Sequence, residues 1–163
     1  MVKLFLKIQA ELTNVTDLEP NSSPEKPYEF TFKIQCTKCR LIHEKLIQIN
    51  QYEKHQIGDS RGDASFIFKC KDCKSEHSAN VLPTNKKFTM EDYEKRVFVP
   101  ILEIDARGLD FLEFEPTGDF KCTGIESGTK FDEVDLSDEW YDVDEKTNDE
   151  VSITEIKWSI DRQ

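Results

Sequence analysis

Five cysteines are the residues best suited to chemistry in this chain of 163, and four of them come as two pairs. The pairs read Cys36-Thr-Lys-Cys39 and Cys70-Lys-Asp-Cys73, with thirty residues between them. A two-residue spacer lets the backbone fold into a tight knuckle that points both sulfurs at one ion. Two knuckles supply four thiolates, the donor set that closes a tetrahedral structural zinc site. The gap exceeds the roughly 15–20 residues of the commonest double-knuckle template, yet it suffices for two strands and a loop. Four thiolates around a divalent ion leave about two excess negative charges. Lys38, Arg40, Lys69, Lys71 and Lys74 cluster at the knuckles, where they oppose that excess. The competing reading is two redox dithiols or disulfides.

Other candidates are weaker. Cys122, in Phe120-Lys-Cys-Thr-Gly124, is the one potential nucleophile, and neighbouring Lys121 is placed to lower its pKa modestly. A thiol-dependent oxidoreductase follows if that thiol is reactive. No histidine or second free cysteine lies near it in sequence, so a plain thiol is the favoured reading. His43 and His77 each fall four residues after the second cysteine of a knuckle, while His55 stands apart. The first two are candidates for donors behind the thiolates or for ligands of another metal. Because four thiolates already complete a shell, exposed positions on the return strands are the favoured reading. No Gly-rich phosphate loop, nucleophile elbow or His-Glu-x-x-His motif is present, and no catalytic residue is assigned.

Charge narrows the partners. The net charge is −11, but nine Lys/Arg against five Asp/Glu between Lys33 and Lys74 make that stretch +4, leaving −15 elsewhere. Nucleic-acid affinity rests on phosphate neutralisation, so an acidic chain argues against it. Ten acidic residues and one lysine lie between Asp132 and Glu150; they match no EF-hand and read as a solvated loop with Trp140 and Tyr141 as core anchors. The opening Met-Val-Lys-Leu-Phe-Leu-Lys-Ile has no signal-peptide apolar core, and no run approaches membrane-spanning length. The expectation is a cytoplasmic protein, with the nucleus as the alternative, in a reducing compartment where thiol pairs bind metal.

The elements that must position the knuckles are strands. Leu4, Leu6, Ile8, Ala10 and Leu12 alternate with polar residues, as do Tyr28, Phe30, Phe32 and Ile34, the latter running into the first knuckle. Asp17–Pro27 reads as a loop, Leu41–Tyr52 as the returning strand and Gly58–Gly62 as a turn. Ala64, Phe66 and Phe68 lead into the second knuckle and Ser78–Leu82 leaves it, so the metal ties two hairpin ends together in zinc-ribbon fashion. Thr89 caps one short helix, Met90–Arg96, before strands resume at Val97–Ile104. A last strand follows from Val151, with Val151, Ile153 and Glu155 on one face and Ile156, Trp158 and Ile160 on the other. Leu6–Pro20 aligns without gaps on Leu102–Pro116, with five of fifteen positions identical. That echo predicts two similar β units, 1–96 with knuckles and 97–163 acidic and without them, which pack as separate halves or as one compact unit.

The knuckle pair, Ser60-Arg-Gly62-Asp-Ala-Ser65, Gly124-Ile-Glu-Ser-Gly128-Thr129 and Trp140-Tyr-Asp-Val-Asp144-Glu-Lys146 together resemble the eukaryotic CXXC-motif-containing zinc-binding protein family. The resemblance spans essentially the whole chain. It implies an all-β fold of two similar antiparallel β-sandwich-like halves, one zinc held by Cys36, Cys39, Cys70 and Cys73, and no established enzymatic activity. The expected function is a non-enzymatic, monomeric interaction module with a structural zinc and a protein partner, and with no role at membranes or on nucleic acid. A metal-handling protein that exchanges zinc or copper is the alternative, and the Cys122 oxidoreductase stands third.

Overall fold

Alternation of apolar and polar side chains along extended backbone builds most of this molecule. The computed structural model describes residues 2–56 and 63–162, so the expected turn at Gly58–Gly62 lies outside the described residues. Fourteen strands and one short helix are described. The first stretch holds β1 (Val2–Thr13), β2 (Val15–Pro20), β3 (Phe30–Cys36), β4 (Ile47–Ile49), β5 (His55–Gln56), β6 (Asp63–Ala64), β7 (Phe66–Lys69), β8 (Glu76–Pro83) and α1 (Met90–Lys95). After it come β9 (Val99–Arg107), β10 (Leu109–Glu115), β11 (Asp119–Gly124), β12 (Lys130–Asp135), β13 (Trp140–Asp144) and β14 (Asp149–Asp161). The all-β expectation holds, and α1 starts with the expected capping box, Thr89 exchanging hydrogen bonds with Asp92.

Six strands form one sheet in the order β13-β14-β1-β9-β8-β7. Two three-stranded sheets, β10-β3-β4 and β12-β11-β2, and the short β5-β6 ladder complete the described pairing, all of it antiparallel. This order contains an exchange symmetry. Swapping β1 with β9, β2 with β10, β3 with β11, β4 with β12, β7 with β13 and β8 with β14 reverses the large sheet onto itself and turns one small sheet into the other. The echo of Leu6–Pro20 in Leu102–Pro116 therefore falls on equivalent strands. Each small sheet takes two strands from one stretch and its third from the other. One apolar core, running from Leu4 to Ile153, draws on both.

Three sequence expectations are corrected. Asp17–Pro20 is strand, not loop: Leu18 is buried and exchanges backbone hydrogen bonds with Phe88 (2.8 and 2.9 Å), and Pro20 is tolerated because β2 is an edge. The acidic tract is likewise structured as β12 and β13, edge strands whose carboxylates face water, Asp144 excepted, while Val134 and Leu136 enter the core. Within it Trp140 packs on Phe131 at 5.4 Å, but Tyr141 is 65% exposed and anchors nothing. Finally, β14 carries a bulge: Gln9 pairs with Lys157 and Glu11 with Thr154, so one extra residue intervenes on β14. Glu155, at φ 50°, absorbs it. The extra residue shifts the alternation by one, and Ile156, Trp158 and Ile160 join Val151 and Ile153 against the core.

Candidate metal centre

Strand β3 delivers the first sulfur. Phe30, Phe32, Ile34 and Cys36 all point into the core, so the strand's own period places Cys36 at its buried end. The chain then turns: Arg40 N–H donates to the Cys36 carbonyl (2.9 Å), Cys36 N–H donates to the Leu41 carbonyl (2.9 Å), and Arg40 adopts a left-handed φ of 67°. The second knuckle repeats these contacts with Cys70, Lys74 (φ 64°) and Ser75, between β7 and β8. Gly108, at the break between β9 and β10, ties the first knuckle down by accepting from Thr37 N–H at 3.0 Å.

The two knuckles face each other. The Sγ atoms of Cys36, Cys39, Cys70 and Cys73 all lie within 4.8 Å of one another, with Cys39 and Cys70 3.5 Å apart and Cys36 and Cys73 3.7 Å apart. Sulfurs about 2.3 Å from a tetrahedral zinc stand about 3.8 Å from each other, so the donor set has the chemistry and nearly the spacing of a four-thiolate zinc site. The separations far exceed a disulfide's roughly 2.05 Å, and all five cysteines are free. Cys36 and Cys70 are buried, Cys39 and Cys73 half-buried.

Knuckle donors prepare the sulfurs for a cation. The Ser75 hydroxyl and backbone N–H hold the Cys73 thiol down to about 6. At Cys39 the Leu41 N–H acts in the same direction, but burial and the neighbouring thiols push it up to about 12. Four adjacent sulfurs cannot all ionise without a dication, and a bound dication reverses that balance.

His77 departs from the exposed position expected of it. It is buried, not exposed, and its Nε2 lies 3.1 Å from Cys36 Sγ. In the tautomer protonated at Nε2 it donates to the thiolate, the outer contact that orients a ligand and offsets its charge. A Cβ on Gly108 would fall 2.1 Å from His77 Nδ1, and Gly108 has a φ of +82°, so only glycine gives the ring its place. His43 packs edge-on to Phe68 at 4.8 Å, and half-exposed His55 meets Glu53 at 3.8 Å. Of the knuckle cations, Lys71 pairs with Glu44 at 2.8 Å and Arg40 with Asp110 at 3.9 Å, which tempers the basic face.

Cys122 lies buried on β11. Burial first, then the Asp132 and Asp142 carboxylates, pushes its thiol up to about 12, the reverse of the lowering expected from Lys121.

The acidic stretch has turns of the same kind. Gly128 N–H donates to the Gly124 carbonyl (3.0 Å) and Asn148 N–H to the Asp144 carbonyl (2.7 Å), with φ of 70° and 60° at Gly128 and Asn148. Both stretches thus have the turns, and only the pair in 1–96 carries cysteines. At the cysteine positions stand Gly124, Ser127, Asp144 and Thr147. There the Asp144 carboxylate, 3% exposed, accepts from the Ser127 and Thr129 hydroxyls and from Lys146 N–H. A Cβ on Gly124 would come within 2.7 Å of that carboxylate.

Comparison with known proteins agrees with this geometry. The family model of the CXXC motif containing zinc binding protein, eukaryotic, matches residues 5–161. The chain belongs to this family. A UPF0587 protein of Schizosaccharomyces pombe is 39% identical over 99% of both chains. The CXXC motif containing zinc binding protein of Rattus norvegicus is 37% identical over 96% of each. The crystal structure of C1orf123 superposes with a TM-score of 0.87 at 32% identity, covering 99% of both chains. A hypothetical protein from Plasmodium falciparum shares the fold, with a TM-score of 0.83 at 24% identity over 99% of this chain and 100% of that one. The family's zinc and the four-sulfur cluster together fit one zinc site per chain. Among the described residues no helix is long and apolar enough to cross a membrane.

Proposed function

We propose that this chain is a non-enzymatic interaction module, monomeric and housed in the cytoplasm or nucleus, whose zinc holds a protein-binding scaffold in shape. The observation that carries the reading is the closed donor set. Four sulfurs at 3.5–4.8 Å leave no protein-free corner of a tetrahedron for water or substrate. Catalytic zinc sites keep such a corner open. The high pKa and burial of Cys122 supply no thiolate for a redox reaction either.

A second reading, exchange of zinc or of soft Cu(I), draws on the half-exposure of Cys39 and Cys73, which a competing thiol can approach. A chelator challenge on the zinc-loaded chain, following metal and fold together, separates the two. The interaction reading expects one zinc per chain, released only as the protein unfolds, and Cys36→Ser expelling the metal and destabilising the sheets at β3 and β8. Metal that leaves within minutes from a chain that stays folded, or copper taken up in its place, makes the site itself the function.

A further inference from the structure

β14 runs on past its partner. β13 pairs with it only as far as Ile153, and beyond that point no described strand pairs with the side of β14 that faces away from β1. The pairing stops where the bulge begins, at Glu155 in its left-handed conformation, whose N–H is held by the Glu139 carboxylate at 3.3 Å. A non-glycine residue in that conformation bends the strand away from β13 and leaves its edge open.

A groove of about 510 Å³ lies along this edge. Its apolar wall is Phe114, Ile156 and Trp158; the Trp158 ring is fixed between Phe114 (4.7 Å) and Phe120 (5.8 Å), a rigid aromatic platform. Its charged groups are Glu115, Asp138, Glu139 and Glu155, and no Lys or Arg lines it.

We propose that this groove binds an extended segment of another protein in which lysine or arginine alternates with apolar residues, the segment adding to β14 as a further strand. Each feature has a counterpart in such a ligand. Open N–H and C=O groups on a strand edge pair with extended backbone; alternate side chains then reach the apolar wall, and the intervening cations meet the four carboxylates. A second copy of this chain is a poor occupant, because each carries −11 and would bring the same carboxylates to the contact. The exchange symmetry supplies an internal control. The equivalent groove beside β8, between Glu19-Pro20 and Leu82-Pro83, holds about 260 Å³. There Lys86 is part of the lining and Glu19 is paired with Lys87 at 3.3 Å, so the cation trap is missing.

The inference rests on the interaction reading and extends it to a surface and a partner class. The test uses the zinc-loaded full chain and a capped nine-residue peptide alternating lysine with valine, against a glutamate–valine peptide of the same length. The lysine peptide is expected to bind, to weaken at least about tenfold between 50 and 500 mM salt, and to slow amide exchange at 155–161 while leaving 80–83 unchanged. Glu115→Lys with Asp138→Lys is expected to cost at least about tenfold in affinity with the melting temperature retained. Equal binding of the glutamate peptide, no binding of either, protection mapped elsewhere, or dimerisation of the free chain through β14 overturns the proposal. Zinc retention is read on the same samples. Failure to bind with zinc firmly held sinks the groove alone, whereas rapid zinc exchange sinks the interaction reading.

Discussion

At the scale of single residues, the metal centre extends one layer beyond its sulfurs. His77 reaches Cys36 Sγ at 3.1 Å only because Gly108 leaves room behind the ring. Removing the imidazole leaves a buried thiolate without its donor, so His77→Ala is expected to release zinc to a chelator about 10–100 times faster. Gln at 77 retains an N–H donor and recovers part of the loss. Gly108→Ala is expected to do more damage, about 2–3 kcal/mol of stability by denaturant unfolding, because φ is unfavourable and the new methyl drives into the imidazole. Unchanged release in His77→Ala would show that the ring only fills space. The sequence placed His77 correctly on the return strand but could not show that the strand turns it inward. In the fold β8 pairs with both β7 and β9, His77 stands opposite Phe68, and His77, Ser78, Ala79 and Val81 are buried while Glu76 stays exposed.

At the scale of elements, one turn is used four times with two chemistries. Around Cys36 and Cys70 the turns converge on sulfurs suited to a cation; around Gly124 and Asp144 they converge on a carboxylate ringed by donors. The Ser127 hydroxyl, acting with Thr129 and the Lys146 N–H against the opposing effect of burial, holds the Asp144 carboxyl below the usual carboxylate range. A depressed folded pKa means that the clasp contributes fully above the unfolded value near pH 4 and is lost as pH falls through the lower folded one. Asp144→Asn is therefore expected to lower the melting temperature at pH 7 by roughly 5 °C and to flatten the acid limb of the stability curve. A mutant melt that loses stability in acid as steeply as the wild type would place the effect elsewhere. The cysteine turns were legible because Cys-x-x-Cys names its own geometry. The acidic turns were hidden inside a run of carboxylates, where nothing in composition marks Asp144 as the buried one.

At the scale of the whole molecule, alternation was enough to read β1, β3 and β7 but not β2, β12 or β13, whose residues read as loop. The site was enough to read the metal, since four cysteines at these spacings have few other uses. What the sequence could not supply was partnership: the strand order, the bulge at Glu155 that rephases β14, and the crossing of strands between the two stretches. That crossing has a consequence for folding. β3 lies between β10 and β4, and β11 between β12 and β2, while β1 sits between β14 and β9. A fragment of residues 1–96 would lose β9, β10 and β14, stripping the partners from β1, from one edge of β3 and from one edge of β8, and exposing the apolar faces of all three. Zinc can tie the hairpin ends of β3 and β8, but it cannot replace those strands. The fragments 1–96 and 97–163 are each expected to lack a cooperative melt and dispersed amide resonances, even with zinc supplied, and to regain both when mixed. The intact chain is expected to unfold in one transition, with the zinc leaving in it. A folded, zinc-loaded 1–96 fragment would show instead that the first stretch carries its own core and that the exchanged strands only decorate it.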